Sequence, residues 1–348
     1  MGMRFSVIVP VHNARETLAD CLAGLGRSSS PPEEVLVVDD GSTDDSANVA
    51  RAHRGVTLLT GATQGPRGAA WARNRGAERA SGDVLVFIDA DVVVHADALA
   101  RMAAVFAGEP TVHALFGSYD EHPPCSDIPS RFKNLLHHYV HQHGKRAASS
   151  FWTGCGAIKR DTFVAMGGFD ERYERPSIED IELGVRLFRA GMAIRLCPEI
   201  QATHLKRWSL MNLWRTDVFA RAVPWTRLVL RDAHLPDDLN LGWRSRVSAL
   251  SSWAALLLAA SACIAPVGAL TNAAYAGVAA GLTVSTALNA DLHRFFVRRG
   301  GLRFAAGAWL LHHAYLLYGS AVFATLTLGH ALRRTAPATL ALTRPRTP

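Results

Sequence analysis

The chain has 348 residues, 49% of them hydrophobic, with 37 Lys and Arg against 30 Asp and Glu and a formal net charge of +7. Length alone fits one large domain or two small ones. The positive balance suits contact with anionic lipid or phosphate, whereas nucleic acid is the poorer fit, because the arginines gather near apolar stretches of the second half. Five cysteines, Cys21, Cys125, Cys155, Cys197 and Cys263, form no C-x-x-C pair and read as reduced, buried cytosolic thiols with no metal role.

Residues 5–10 are too short for a signal-peptide core and read as a strand. Val11-His12-Asn13 then leads into a helix with Leu18, Cys21, Leu22 and Leu25 at helical spacing, which Asn13 is placed to cap. A second apolar strand, 35–38, ends in Asp39-Asp40-Gly41, a pair of acids on a glycine turn. A third, Val56–Thr60, completes a β-α-β-α-β half, the alternation expected of a parallel sheet with helices on both faces. Residues 61–68 are a Gly/Pro loop, and 68–77 form a helix of small residues with Arg67, Arg73 and Arg75 nearby. Each arginine reads either as solvated surface or as a group reaching a diphosphate.

The run 83–91 organises the chain. Val84 to Ile88 is a strand buried on both faces, and it ends abruptly in Asp89-Ala90-Asp91. In an open α/β sheet the carboxyl ends of strands face the ligand. Two carboxylates one residue apart repel each other unless a cation lies between them, and oxygen ligands favour Mg²⁺ or Mn²⁺; the competing reading is a solvated turn. A helix over 97–106 and a strand over 114–119 follow. His137, His138, His141 and His143 then fall on one helix, with His137 and His141 at the i, i+4 spacing that can bind zinc. No third ligand stands nearby, and a helix facing the membrane or an acceptor is the better reading.

Four segments together, Ser6 to Asn13, VVDDGSTD from Val37, GAAWARNRGAERASGD from Gly68 and VLVFIDAD from Val84, resemble a family-2 glycosyltransferase of the GT-A fold. Gly154-Cys155-Gly156-Ala157-Ile158-Lys159-Arg160, Gly167-Gly168-Phe169-Asp170-Glu171 and the E-D-x-x-L-x-x-R pattern from Glu179 continue the resemblance, which covers residues 4 to about 208 and is weakest over 121–151. It implies a nucleotide-sugar donor, with Mg²⁺ or Mn²⁺ on Asp91 and Asp89 nearer the ribose or sugar. It implies a base and ribose pocket from Pro10, His12, Asn13, Asp39 and Asp40, with Asp40 on the base, and a diphosphate contact from Arg73. Asp180 becomes the general base, ionised by its helix N-terminus, while Glu179 points elsewhere. His204-Leu205-Lys206-Arg207-Trp208 resembles the Q-x-x-R-W signature of membrane-bound synthases with His in place of Gln, so Arg207 and Trp208 would hold diphosphate and stack near the acceptor sugar.

Residues 208–230 alternate bulky apolar side chains with Arg215, Arg221 and Arg227, the pattern of a helix in the membrane interface or of a packed core helix. No charged residue occurs in 247–290 or in 304–331. A bilayer core needs about 20 apolar residues per helix. The expected division is a catalytic domain over 1–206, an interfacial segment over 207–246, a membrane region over 247–331 with spans near 247–267, 271–290 and 304–331, and a tail over 332–348. The third span competes with a helix held at the cytoplasmic interface. The expected activity is inverting transfer of a sugar to a lipid-linked or envelope-glycan acceptor at the cytoplasmic face of the inner membrane. Polyprenyl-phosphate glycosyl synthesis and a catalytically silent membrane scaffold are the alternatives.

Overall fold

A computed structural model describes residues 3–61, 65–232, 242–264 and 268–335. The four apolar runs of the first ninety residues become β1 (Phe5–Val11), β2 (Glu34–Asp39), β3 (Val56–Thr60) and β4 (Val84–Ile88), parallel in the order β3-β2-β1-β4. Between them run α1 (Leu18–Gly26), α2 (Ser46–Ala52) and α3 (Ala69–Arg79). Because side chains alternate along a strand, each strand feeds two cores. Val7, Val9, Val86 and Ile88 pack with Leu18, Leu22 and Leu25 of α1 on one face, while Ile8, Leu85 and Phe87 meet Ala70, Trp71 and Ala77 of α3 on the other.

Past β4 lie β5 (Val92–Val94), α4 (Ala98–Gly108), β6 (Val112–Tyr119), α5 (Ile128–Gln142), β7 (Ala147–Ala148), β8 (Cys155–Lys159), α6 (Arg160–Ala165), α7 (Glu179–Arg189) and β9 (Ala193–His204). Among the described residues they extend the sheet to nine strands, the order continuing β4-β8-β6-β9-β5, with β7 on β9. β8 runs antiparallel to β4 and β6, β9 parallel to β6, and β5 antiparallel to β9. The carboxyl ends of β1, β2, β4, β6 and β9 therefore share one edge with the amino end of β8.

Two sequence expectations change here. Asn13 does not cap α1, whose N-cap position is Thr17. Asn13 instead takes a left-handed φ of 53°, which Asn tolerates better than most residues, and its side-chain oxygen accepts N–H groups of Thr43 (2.8 Å) and Asp44 (3.2 Å). The histidines of α5 and its C-cap do not line an open face: among them only His143 is exposed. His138 Nδ1 donates to Tyr119 O (2.7 Å), His141 Nδ1 to Gly117 O (3.0 Å), and His137 packs on Tyr119 and Trp152. Burial pushes His141 down to about 4 and His137 well below its ordinary value, so both rings are neutral packing groups. Among the described residues no group of three or more His, Cys, Asp or Glu is placed to hold a metal ion.

After β9 come α8 (Leu210–Arg215), a π-helical segment Thr216–Ala222 and α9 (Val223–Asp232). One face is packed, through Leu213, Val218 and Leu228, as expected of a core helix, while Leu210, Met211, Trp214 and Phe219 stay exposed. α10 (Trp243–Ile264) and α11 (Ala269–Leu288) cover the first two expected spans, apart from 265–267, which lie outside the described residues, Asn289, the C-cap of α11, and Ala290, which begins the next helix. α12 (Ala290–Thr335) turns at Gly301, with φ 74° and ψ 177°. Its Phe295, Phe296, Phe304 and Ala308 form one core with Phe132 and Leu135 of α5. The third apolar stretch thus begins docked on α5. Trp243–Ile264 and Ala290–Arg334 are long and apolar enough to cross a membrane.

Candidate active site

The sheet edge where these strands end collects most of the candidate site residues. A strand buried on both faces leaves no room for a carboxylate, so the acids after β4 emerge at its end, where the chain turns through Asp89, Ala90 and Asp91 into β5. β5 pairs with the end of β9, placing Val92 opposite His204, and Leu205 N–H donates to Asp91 O at 2.8 Å. That register sets His204 Nε2 3.5 Å from Asp91 Oδ2. The ring stacks on Tyr119 with centroids 4.3 Å apart and planes 5° apart, and its Nδ1 lies 2.6 Å from Asn134 Oδ1. Burial, then the charges of Asp91 and Asp89, push the Tyr119 phenol well up, so it is neutral. His204 was legible only as a departure from Q-x-x-R-W; its role beside Asp91 comes from strand pairing.

Asp89 has another partner. Arg73, 4% exposed on α3, donates Nη2 to Asp89 Oδ1 and Nη1 to Glu179 Oε1, each at 2.7 Å. Burial works against the guanidinium charge, but Asp89, Glu179 and Asp180 outweigh it and hold the group protonated. Arg73 is therefore neither a solvated arginine nor a free diphosphate ligand; it brackets the end of β4 to the start of α7. Arg67 and Arg75 do lie at the surface, both near Glu171.

Asp180 turns away from that bracket. Its Oδ2 accepts the N–H (3.2 Å) and the hydroxyl (3.3 Å) of Thr153, and its Oδ1 accepts Ile181 N–H (2.8 Å). Burial first, then the charge of Glu179, push its carboxyl up to about 6, against Arg73 and the two amide donors. Desolvation and a like charge thus outweigh the helix N-terminus in setting its pKa, and a carboxyl near 6 is still mostly ionised at neutral pH. A base with a pKa near neutrality suits proton abstraction.

At the other end of the edge, the carboxyl ends of β1 and β2 bring together Pro10, His12, Asn13, Asp39 and Asp40. His12 Nδ1 donates to Asp40 O at 3.0 Å, and Asp39 Oδ1 accepts Ser42 N–H at 3.2 Å. The Asp40 carboxylate, 4% exposed, accepts N–H groups from Arg67 (2.9 Å) and Gly68 (2.7 Å). Gly68 has φ 101°, and a Cβ there would lie 2.6 Å from Glu174 O, so the loop closes on Asp40 because this residue is glycine. Pro10 is half-buried, and His12 and Asn13 are exposed.

Arg207 is exposed, but Trp208 is not available to a sugar. It lies buried among Phe132, Leu213 and Phe296, where its backbone N–H donates to Ser130 Oγ at 2.8 Å and its indole N–H is buried without a hydrogen-bond partner. The half-buried aromatic beside Asp180 is Trp152, next to Thr153, its ring on the edge of Tyr119 at 4.8 Å. A Cβ at 154 would fall 2.2 Å from that indole, which makes Trp152-x-Gly154 the signal that sequence reading passed over.

Residues 6–163 match the family profile "Glycosyl transferase family 2", and residues 134–207 match "N-terminal domain of galactosyltransferase". The chain is similar to the uncharacterized glycosyltransferase YfnE of Bacillus subtilis (strain 168), 25% identical over 253 residues, 58% of this chain and 64% of that protein. It is also similar to validoxylamine A glucosyltransferase of Streptomyces hygroscopicus subsp. limoneus, 28% identical over 237 residues, 57% of this chain and 51% of that protein. The matched regions thus span half to two thirds of these relatives. A mannosyltransferase, PcManGT from Pyrobaculum calidifontis, in complex with GDP-Man and Mn²⁺, has the same fold, with a TM-score of 0.58 and 20% identity over 93% of this chain and 88% of that one. The motifs, the sheet order and these similarities together place residues 6–163 in glycosyl transferase family 2, with the GT-A fold.

Proposed function

We propose that this protein transfers a sugar, with inversion, from a nucleotide-diphosphate donor to a lipid-linked or envelope-glycan acceptor at the cytoplasmic face of a membrane. The observation that carries the reading is Asp180: a half-buried carboxyl raised to about 6, at the same sheet edge as Asp91 and His204. In such a transfer the acceptor hydroxyl attacks the anomeric carbon as the bond to the diphosphate breaks, and its proton passes to Asp180. Thr153 and Ile181 hold that carboxylate in one orientation. Arg73 holds Asp89 and α7 in fixed relation, so acid and base sides of the cleft keep their spacing.

The donor chemistry of Asp91 and His204 fits a divalent cation. Their facing atoms are 3.5 Å apart, beyond a good N–H···O hydrogen bond, and a carboxylate with an imidazole favours Mn²⁺ over Mg²⁺. With only two such ligands, the remaining coordination falls to diphosphate and water. A cation bound there would neutralise the charge that develops on the leaving diphosphate. The nucleoside is read as lying over Pro10, His12, Asn13, Asp39 and Asp40, with Arg207 toward phosphate. The PcManGT structure, which holds GDP-Man and Mn²⁺, supports a metal-dependent nucleotide-sugar reaction.

The exposed Leu210, Met211, Trp214 and Phe219, with α10 and α12, support a membrane-bound acceptor. The test is nucleotide release and sugar transfer by purified protein in detergent, against a panel of nucleotide sugars with polyprenyl phosphate and lipid extract as acceptors. Transfer that Asp180→Asn abolishes supports the reading. No nucleotide release from any donor would leave a catalytically silent scaffold, and glycosylated polyprenyl phosphate as the product would make it a polyprenyl-phosphate synthase.

A further inference from the structure

We infer that Asn134 is a positioning residue for the metal side of the cleft: its side-chain oxygen fixes His204 in the tautomer that carries the proton on Nδ1 and turns the Nε2 lone pair toward Asp91. Asn134 lies on α5, in the segment where the family resemblance is weakest, and belongs to none of its motifs. It is 2% exposed, and its Oδ1 stands 2.6 Å from His204 Nδ1. A neutral imidazole has one N–H and one lone pair, so an acceptor at Nδ1 decides which nitrogen is bare. The other nitrogen makes only a long approach: Nε2 to Asp91 Oδ2 is 3.5 Å, beyond the 2.7–3.2 Å range of a typical N–H···O bond.

The surroundings leave His204 little other freedom. Stacking on Tyr119 at 4.3 Å sets the plane of the ring, and the β5–β9 register sets its position along the strand. What stacking and register leave open is the proton, and Asn134 settles it. The reversed amide would present its NH₂ to Nδ1 and drive the ring proton onto Nε2, where it would point at the Asp91 carboxylate and take that lone pair away from a metal. In the observed orientation the Asn134 NH₂ is buried without a partner, which is the cost of presenting the amide oxygen to the ring. A metal-binding histidine is commonly oriented in this way, by a group that accepts the proton of its other nitrogen.

This inference rests on the reading that Asp91 and His204 hold a divalent cation, and two readouts on the full chain in detergent separate the two. The first is the ¹⁵N imidazole spectrum of histidine-labelled, metal-free protein, with His204→Ala to assign the resonance. The expected pattern is a protonated Nδ1 and a bare Nε2; a proton on Nε2 in the wild type overturns the inference, and this needs no variant at Asn134. The second is Mn²⁺ binding followed by its electron paramagnetic resonance signal, without donor sugar. Asn134→Leu is expected to weaken Mn²⁺ by about 10–100-fold and lose the single tautomer, and Asn134→Asp, which keeps an acceptor, to restore both. Mn²⁺ affinity unchanged in Asn134→Leu would overturn the role of Asn134. Wild-type protein that binds no Mn²⁺ would refute the metal reading instead, with the tautomer still decided by the first measurement.

Discussion

At the scale of single residues, the proton balance of Asp180 makes the sharpest prediction. With its carboxyl at about 6 in the free enzyme, kcat/KM should rise with pH through an acidic limb near that value, since only the ionised form accepts a proton. Thr153 donates its hydroxyl and its N–H to the carboxylate and so lowers the pKa. Thr153→Val removes one of those donors, and the limb should move to higher pH while donor binding holds; a limb that stays in place or moves down would show that another group titrates. Asp180→Asn should cost about 10²-fold or more in transfer and leave donor affinity intact. On the opposite side of the cleft, Asp91→Ala should abolish metal-stimulated turnover, and chelation of the wild type should match it; full activity in excess chelator would remove the metal from the reaction. Asp89, Asp91 and Asp180 were all visible in the sequence, because each ends an apolar run or opens a helix. Arg73 and His204 were noticed there, but their pairing with Glu179 and Asp91 was not legible, since those partners lie 106 and 113 positions away and meet only through the fold.

At the scale of elements, α7 is the part most exposed to a small change. Gly184 packs directly on the backbone before β8, where a Cβ would lie 2.2 Å from Phe151 N and 2.6 Å from Ser150 C. Backbone cannot step aside as a side chain can, so Gly184→Ala should tilt α7 and displace Asp180 from Thr153. The expected result is a fall in kcat with donor affinity near the wild-type value, read by steady-state kinetics beside nucleotide titration. A second element-level contact joins α5, the π-helical segment and α12: Lys133 Nζ is 2.5 Å from Asp217 Oδ1, and Tyr318 donates its hydroxyl to Asp217 Oδ2 at 2.7 Å. Burial pulls the Lys133 ammonium down to about 8, against the opposing pull of Asp217. Lys133→Met strands a buried carboxylate and should cost about 3–5 kcal/mol, much of it recovered by adding Asp217→Asn, as thermal unfolding in detergent would measure. The long strands and α7 could be read from periodicity. β5 and β7, of three and two residues, could not, and Trp208 was misassigned because the surface that buries it belongs to helices far along the chain.

At the scale of the whole molecule, the question is how far the three C-terminal helices reach beyond the catalytic half. After Gly301, α12 runs 34 residues (302–335), about 51 Å at 1.5 Å per residue. Its first half is docked: Phe304 and Ala308 lie in the α5 core, and Tyr318 reaches Asp217. Residues 319–335 continue for about 25 Å, close to the roughly 30 Å of a bilayer core, which modest thinning or snorkelling of the terminal arginines can match. Trp253 Nε1 donates to Ser320 Oγ at 2.9 Å, so α10 accompanies α12 along this length, and Gly281 of α11 packs close enough to α10 that a Cβ there would lie 2.8 Å from Ser251 O. On the proposed membrane reading, a bundle packed in this way would enter the bilayer together, with Arg244, Arg246, Arg294 and Arg298 at the cytoplasmic side and the end of α12 beyond the opposite face. Arg333 and Arg334 would then lie outside, against the usual charge bias, with the cluster of earlier arginines setting the orientation. In a background lacking all five cysteines, Arg334→Cys should react with a membrane-impermeant maleimide in intact cells, whereas Arg298→Cys should react only after lysis. Labelling of Arg334→Cys only after lysis would mean that α12 stops at the cytoplasmic interface and that α10 and α11 alone form the membrane hairpin.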